Sequence, residues 1–339
     1  MNIHVGLIGG GNISETHARA ARGIPGVAIA AVFGTNQEKV GRLSAELGAT
    51  PYADFEKFLA HRPMDFVAIG SPSGLHAEQG IAAARHGLHV LTEKPLDIST
   101  AQADALIMAA AEAGVKLGVF FQDHFKADLV KVQEWVAAGV LGKLILVDAR
   151  VKWFRPASYY QDSRWRGVLR WDGGGALMNQ AIHTVDLLLW ICGEVSAVQA
   201  VRKTALHKIE AEDTLVATLE FKTGAIGTLQ AATSAFPGYP RRVEFTGSEG
   251  TVIIEHDRVI AADLRKPSKG FCSTGNDQNA SASSPTVSDV RGHQAALVDF
   301  IQAIKTNGIP RCSGKDARGS VALVEAIYAA CASGQRVNL

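Results

Sequence analysis

Two short stretches of the chain hold side chains able to move protons in settings that would fix them. Glu93-Lys94-Pro95 follows the apolar run His89-Val-Leu-Thr92. A proline cannot continue a central strand and fixes its own φ, so the chain must turn directly behind Lys94. A lysine held rigidly on such a turn is a candidate for chemistry; a surface lysine in a turn is the other reading of the pair alone. The second stretch is Gly173-Gly-Gly-Ala-Leu-Met-Asn179-Gln-Ala-Ile-His183-Thr-Val-Asp186. On a helix, Asn179, His183 and Asp186 form one polar stripe, while Leu177, Ile182, Val185, Leu188 and Leu189 pack elsewhere. A histidine with polar neighbours one turn away suits a general base or acid, because it titrates near neutrality. Taken alone, a core histidine bonded to its own helix fits as well. The three glycines would let backbone approach a ligand closely.

The elements that must carry these residues are legible. Ile3 to Ile8 reads as a buried strand, Gly9-Gly10-Gly11-Asn12-Ile13-Ser14 follows at once, and a helix runs from about Ile13 to Arg22. Strand, glycine turn and helix are the dinucleotide-binding arrangement. Gly9 allows the turn, Gly11 lets backbone approach the pyrophosphate, and the helix N-terminus faces the anion. Ser14 stands at the third glycine position. The second strand, Val27 to Phe33, ends in Gly34-Thr35-Asn36, without the carboxylate that binds an adenosine ribose. Thr35, Asn36 and Lys39 could bind a 2′-phosphate there, so the expected cofactor is NADP or NAD, with a lean to NADP. Glu38, or no acid at all, would serve an NAD site.

A further strand, Phe66 to Gly70, enters Ser71-Pro72-Ser73-Gly74-Leu75-His76, a loop expected to lie along the cofactor. His76 there has a cofactor-side or structural role. With strands at His89–Thr92 and Lys116–Phe121 and helices between them, residues 1–122 predict an α/β Rossmann domain with a doubly wound parallel sheet. Lys94 would then stand at the carboxyl end of a parallel strand, where such sheets hold ligands.

After Phe121 the texture changes. Leu144–Trp153, Ala197–Lys203, Thr214–Phe221, Ala225–Thr233, Arg242–Thr246 and Thr251–His256 have strand chemistry with hairpin-length connections. Residues 123–339 therefore predict an α+β domain with a large, mostly antiparallel open sheet, serving substrate binding and oligomerisation. One face of such a sheet needs covering by helices or another subunit, so a homodimer or homotetramer through it is expected. Residues 265–291 are polar and long for a connection.

At 339 residues, two domains are the default. A net charge of +1 gives no reason to expect nucleic acid or an anionic membrane as partner. Cys192, Cys272, Cys312 and Cys331 show no metal-ligand spacing, no metal is expected, and reduced thiols in a cytoplasmic protein are the expectation. No apolar stretch reaches the length of a membrane span.

Together, Gly9-Gly-Gly-Asn12-Ile13, Ser71-Pro-Ser-Gly-Leu-His76, Glu93-Lys-Pro95 and Gly173 to Asp186 resemble the Gfo/Idh/MocA family of NAD(P)-dependent oxidoreductases over nearly the whole chain. The resemblance implies a Rossmann domain followed by an α+β domain, with Lys94 and His183 facing the nicotinamide and a polyhydroxylated substrate. It implies that His183 takes the hydroxyl proton as hydride leaves carbon, and that Lys94 hydrogen-bonds the same oxygen. It places Asn12, Ile13, Ser71, Pro72, Glu93 and Gln122 on the cofactor side. The Lys94-Pro95 bond is often cis in relatives.

Two departures stand out. Asn179 replaces an Asp common in sugar and inositol dehydrogenases, so it can orient a hydroxyl without accepting a proton. Asp123-His124 follows Gln122 where relatives commonly have Asn-Arg, which leaves the role of that segment open. Trp153-Phe-Arg-Pro156, Tyr159-Tyr160, Trp165-Arg-Gly167 and Pro237-Gly-Tyr-Pro-Arg-Arg242 resemble a branch that includes oxidases of nucleotide-linked amino sugars. Tyr160 and Trp165 are read as sugar-stacking rings. Arg155, Arg166 and Arg242 are read either as holders of a carboxylate or phosphate or as subunit contacts.

The expected function is an NAD(P)-dependent dehydrogenase or reductase acting on a carbinol or carbonyl carbon of a sugar, inositol or sugar derivative. An internal-redox enzyme with retained NAD, of glycosidase or epimerase type, and a non-catalytic dinucleotide-binding regulator are the alternatives. The presence of both Lys94 and His183 favours catalysis.

Overall fold

Short strands with apolar residues on both faces build the first sheet: β1 (Ile3–Ile8), β2 (Val27–Phe33), β3 (Thr50–Tyr52), β4 (Phe66–Ile69), β5 (His89–Thr92) and β6 (Leu117–Val119). In the computed structural model, which describes residues 2–266 and 289–339, they run parallel in the order β3-β2-β1-β4-β5-β6. Every residue of β4 is buried, as a central strand covered on both faces requires. The order reverses between β1 and β4, where an open α/β sheet leaves a crevice beyond its carboxyl ends. The edge strand β3, centred on Pro51, is too short to show a period in the sequence. Most of the polar stretch 265–291, with Cys272, lies outside the described residues.

The second sheet holds β7 (Leu144–Lys152), β8 (Val195–Lys203), β9 (Thr214–Phe221), β10 (Ile226–Ala232), β11 (Arg242–Gly247), β12 (Gly250–Glu255), β13 (Arg258–Leu264) and β14 (Val337–Asn338). Their order is β13-β12-β11-β7-β10-β9-β8-β14, and every pairing is antiparallel except β7 with β10. Alternation along the strands divides the two faces. Val147 and Ala149 on β7, Ala217 and Leu219 on β9, Leu229 and Ala231 on β10, and Val243 and Phe245 on β11 are all buried. Helix Ile182–Cys192 and the turn before it pack on this sheet. On the other face Leu146 pairs with Ile226 and Val201 with Val216, all four 45–65% exposed.

Two features escape the sequence pattern. β12 joins β13 through His256-Asp257, both at positive φ (53° and 61°), a conformation that hairpins usually give to Asn-Gly. Ion pairs from Arg241 and Lys126 to Asp257 offset the backbone cost. The chain also divides unexpectedly. Its compact units are Met1–Gln122 with Thr286–Val321, and Asp123–Pro285 with Ala322–Leu339. Helix Arg291–Thr306 packs on helix Asn12–Arg22, and Gln294 Nε2 donates to the Gly23 carbonyl at 2.8 Å. A division at residue 122 alone assigns that helix to the second domain.

Alternation also separates two neighbouring arginines. Arg241 is 7% exposed and pairs with Asp123 at 2.5 Å and with Asp257. Lys126 reaches the same carboxylates at 2.6 and 2.7 Å. Arg242, one residue on, joins Glu244 (2.8 Å) and Glu255 (3.4 Å) beside its cross-strand neighbour Arg150. Val243 and Phe245 line the buried face, so Arg242 and Glu244 lie on the opposite one. The sequence reading of Arg242 as a substrate-side arginine is therefore corrected: its guanidinium belongs to a partly exposed ion-pair network on the outer face.

Removing one member of a buried ion pair costs about 3–5 kcal/mol, and a partly exposed pair is worth about 0–1 kcal/mol. Arg241→Met should lower unfolding stability in urea by the larger amount and Arg242→Met by the smaller. Equal losses would contradict this assignment of faces.

Candidate active site

The glycine turn after β1 separates two roles by its surroundings. Gly9 has φ 121°, and a Cβ there would stand 2.8 Å from Ser14 Oγ and 2.9 Å from the Gly70 carbonyl oxygen. A Cβ on Gly11 would meet nothing within 4 Å. Helix Asn12–Arg22 starts at Gly11 without a side-chain cap, so the first-turn N–H groups, those of Asn12 and Ile13 among them, suit an anion. Open space beside Gly11 and uncapped donors fit a pyrophosphate.

Beyond β2, Thr35, Asn36 and Lys39 are exposed and no carboxylate ends the strand. Asn36 Oδ1 accepts from the Lys39 N–H at 3.0 Å and caps the next helix. After β4, Ser71 Oγ donates to Gln79 Oε1 at 2.6 Å, and Pro72 opens the turn Ser73–Leu75. His76 is 1% exposed, with Nδ1 2.8 Å from the Pro95 carbonyl and Nε2 3.1 Å from that of Ser71. It ties this loop to the turn after β5, so its assigned cofactor contact becomes a supporting role.

That turn is Glu93-Lys94-Pro95, and the Lys94-Pro95 bond is cis, as the family resemblance implied. Glu93 is 7% exposed and faces inward. Its Oε1 lies 2.9 Å from His17 Nε2 and 3.4 Å from His293 Nε2, and its Oε2 accepts from the Lys94 N–H at 3.3 Å. Burial works to raise the Glu93 pKa, but the hydrogen bond from His17 and the presence of His293 beside it hold it well below the usual carboxylate range. Burial lowers that of His17, whose ring is then neutral at pH 7 and donates through Nε2. Gln122 Nε2 lies 2.6 Å from His293 Nε2. Glu93 and Gln122, both assigned to the cofactor from the sequence, are thus engaged with histidines. Lys94 is half-buried.

In the second unit the three glycines serve the fold. A Cβ on Gly174 would lie 2.0 Å from Tyr328 Oη, and one on Gly175 would lie 1.8 Å from the Glu212 carbonyl oxygen. Glu212 takes N–H groups of Gly175 (3.1 Å) and Leu177 (2.8 Å) on its carboxylate, and Tyr328 donates to it at 2.9 Å. The close approach expected for a ligand is made by the protein itself. Residues Ala176–Ala181 form a π-helical turn, a local widening frequent at functional sites, ahead of helix Ile182–Cys192.

Asn179 on that turn is buried. Its Nδ2 donates to Asp172, and its Oδ1 accepts from Gln180. Gln180 reaches Tyr159 Oη at 2.9 Å and accepts from Arg155 at 2.7 Å. The Arg155 guanidinium lies 5.6 Å and that of Arg166 4.2 Å from the Tyr159 ring centroid, and Arg166 also lies 5.5 Å from the Trp165 ring. Arg166 Nε is buried without a hydrogen-bond partner among the described residues. Tyr160 is 8% exposed with its hydroxyl 2.7 Å from Thr233 Oγ1. Its proposed sugar-stacking role is replaced by packing, while Tyr159 is the ring between the arginines.

His183 is half-buried, close enough to Asp123 for its charge to favour that carboxylate. Asp186 Oδ2 lies 2.7 Å from His124 Nε2, and His124 stacks on Trp190 with centroids 4.1 Å apart. Asp172 and Gln180 are polar groups that sequence reasoning passes over, and Tyr159 and Asp123 are quoted there within motifs without a role of their own. Asp172 has a signal, since it directly precedes the triple glycine, seven positions before Asn179. Among the described residues Cys192, Cys312 and Cys331 are free thiols, and no helix is long and apolar enough to cross a membrane.

Comparison with known proteins agrees with this geometry. Residues 3–121 match the oxidoreductase family with an NAD-binding Rossmann fold, and residues 129–253 match the GFO/IDH/MocA C-terminal domain. The myo-inositol 2-dehydrogenase of Thermotoga maritima is 27% identical, with 95% of this chain and 93% of that protein covered. The 1,5-anhydro-D-fructose reductase of Ensifer adhaerens is 27% identical, with 98% of each covered. The WlbA dehydrogenase of Bordetella pertussis, solved with NADH and UDP-GlcNAcA, superposes with a TM-score of 0.90 at 32% identity, covering 100% of this chain and 99% of that one. With a dinucleotide-type glycine turn, a Glu-Lys-Pro turn two strands away and both halves matched, the chain belongs to the Gfo/Idh/MocA family of NAD-binding oxidoreductases.

Proposed function

We propose that the protein transfers hydride between a nicotinamide cofactor and a carbinol or carbonyl carbon of an anionic sugar derivative, with Lys94 and His183 as its acid–base groups. The observation that carries the reading is the sharing of one sheet edge: the glycine turn, the Ser71–His76 loop and the Lys94 turn leave the carboxyl ends of β1, β4 and β5, which are adjacent strands. When bound, the nicotinamide supplies or accepts the hydride. Lys94 hydrogen-bonds the reacting oxygen and stabilises charge developing on it; His183 takes or returns the hydroxyl proton. Asn179, already bonded to Asp172 and Gln180, acts as a fixed orienting group with no proton to exchange.

The anionic substrate is supported by the guanidiniums of Arg155 and Arg166 around Tyr159, a pair suited to a carboxylate or phosphate. The ligand of the Bordetella relative, UDP-GlcNAcA, has that chemistry. Lys94→Ala and His183→Ala should each lower turnover by roughly 100-fold or more with cofactor affinity nearly intact. Arg166→Ala should raise KM for UDP-GlcNAcA more than it lowers kcat. A panel of UDP-GlcNAcA, inositols and neutral aldoses, read by nicotinamide absorbance, tests the substrate class; turnover confined to neutral sugars would overturn it.

For the cofactor, we infer that the end of β2 admits a 2′-phosphate, with a lean to NADP, because no carboxylate repels it and Thr35, Asn36 and Lys39 are exposed. Fluorescence titration with NADPH and NADH measures this, and a tenfold or greater NADH preference would refute it by about 1.4 kcal/mol.

We also infer that a second copy of the chain covers the outer sheet face around Leu146, Val201, Val216 and Ile226. Light scattering should return a dimer or tetramer mass, and Val216→Asp should reduce it. A monomeric wild-type protein would remove this inference.

A further inference from the structure

A carboxylate buried at the end of β5 needs partners, and three distant segments supply them. His17 comes from the first helix, Gln122 from the end of the first sheet domain, and His293 from the helix that returns to this unit late in the chain. His17 stacks on Phe120 with ring centroids 4.4 Å apart, and Phe120 lies 5.5 Å from His293, so both imidazoles are wedged by one aromatic ring. A Cβ on Gly292 would stand 2.9 Å from Gln122 Cβ, so glycine there lets His293 approach. On the far side of Lys94, His76 holds the Pro95 carbonyl at 2.8 Å, and Asp97 accepts N–H groups of Ala77 (2.9 Å) and Ile98 (2.7 Å). Lys94 therefore sits on a turn whose residues to either side are both fixed to buried side chains.

We propose that His17, His293 and Gln122 act through Glu93 as a clamp that positions Lys94, making Glu93, His17 and His293 positioning residues of the reaction and giving helix Arg291–Thr306 a part in it. This rests on Lys94 having the role given above. The ligand atoms of His17, Glu93 and His293 also lie within 4.8 Å of one another, a spacing that a metal ion could bridge. The hydrogen-bonded reading is favoured because His17 donates to Glu93 at 2.9 Å and His293 engages Gln122 at 2.6 Å, which leaves the carboxylate served without an ion.

The test measures Lys94 without needing turnover. The full-length protein and its Glu93→Gln, His293→Ala and His293→Gln variants are acylated with acetic anhydride over a range of pH, and the Lys94 peptide is quantified by mass spectrometry against the exposed Lys57. Cofactor Kd and circular dichroism are taken alongside. Lys94 labelling relative to Lys57 should rise about fivefold in His293→Ala, which removes the ring nitrogen that accepts the Gln122 N–H beside Glu93, and fall back towards wild type in His293→Gln, whose amide oxygen can accept that N–H. In Glu93→Gln, loss of the adjacent negative charge should move the midpoint of the Lys94 labelling profile to lower pH. Cofactor Kd should stay within about twofold throughout. Unchanged labelling in all three folded variants would overturn the clamp, whatever Lys94→Ala does to turnover. Loss of turnover in Lys94→Ala with unchanged labelling would leave the catalytic role standing and remove only the clamp. If His293→Ala does not fold, the nearly isosteric Glu93→Gln carries the decision. Stoichiometric zinc in the purified protein would also overturn the proposal and reassign the triad to metal binding.

Discussion

The constraint on which the first unit depends is the burial of one carboxylate. An ionised Glu93 with 7% exposure cannot persist at the end of β5 unless hydrogen bonds replace its water. That need recruits His17 across 76 residues and His293 across the second domain. It explains why the chain, after seven of the eight strands of the second sheet, sends a helix back to the first unit before adding β14. The helix Arg291–Thr306 is amphipathic by composition and would pack on any apolar surface; His293 and Gln294, contacting Glu93 and the Gly23 carbonyl, give it one address.

The second unit answers a different constraint, the alternation of an open sheet. Period two puts Val243 and Phe245 in the core and sends Arg242 to the outer face, so adjacent arginines enter unlike environments. Arg241, just before the strand, is buried with two carboxylates and a lysine. Two positive and two negative groups make that cluster neutral as a whole, which is how four charged side chains remain under little water. The charges of Arg241 and Lys126 overcome the burial that would otherwise raise Asp123, and keep it ionised beside His183.

Much of this is open to sequence reading because its signals are local. Glycine spacing, the proline after Lys94 and the apolar runs mark the parallel sheet, and Thr214–Phe221 alternates so cleanly that its limits agree with β9. What stays hidden depends on partners remote in the chain. Glu93 and Gln122 carry no mark showing that they face histidines, and Tyr160 differs from Tyr159 only in which side of a short helix it occupies. β13 escapes because His256-Asp257 lacks the glycine that announces its turn, and Asp257 is held there by Arg241 and Lys126. The triple glycine is conspicuous, but its use is not: it makes room for Tyr328 and Glu212 rather than for a ligand.

The departures from the family pattern then amount to one exchange. Where the family resemblance implies Asn-Arg, this chain has Asp123-His124, which places a carboxylate at that point. Arg241 and Lys126 restore the cations from other positions, and Asp186 takes His124 as its partner. Asn179 replaces an acid, but the acid is one hydrogen bond away in Asp172, itself fixed by the Gly167 N–H at 2.8 Å. Each departure is therefore accompanied by a group of the missing charge or chemistry nearby in this chain. Charge around the π-turn is redistributed, and the amide of Asn179 is held as rigidly as a carboxylate would be, without the capacity to take a proton.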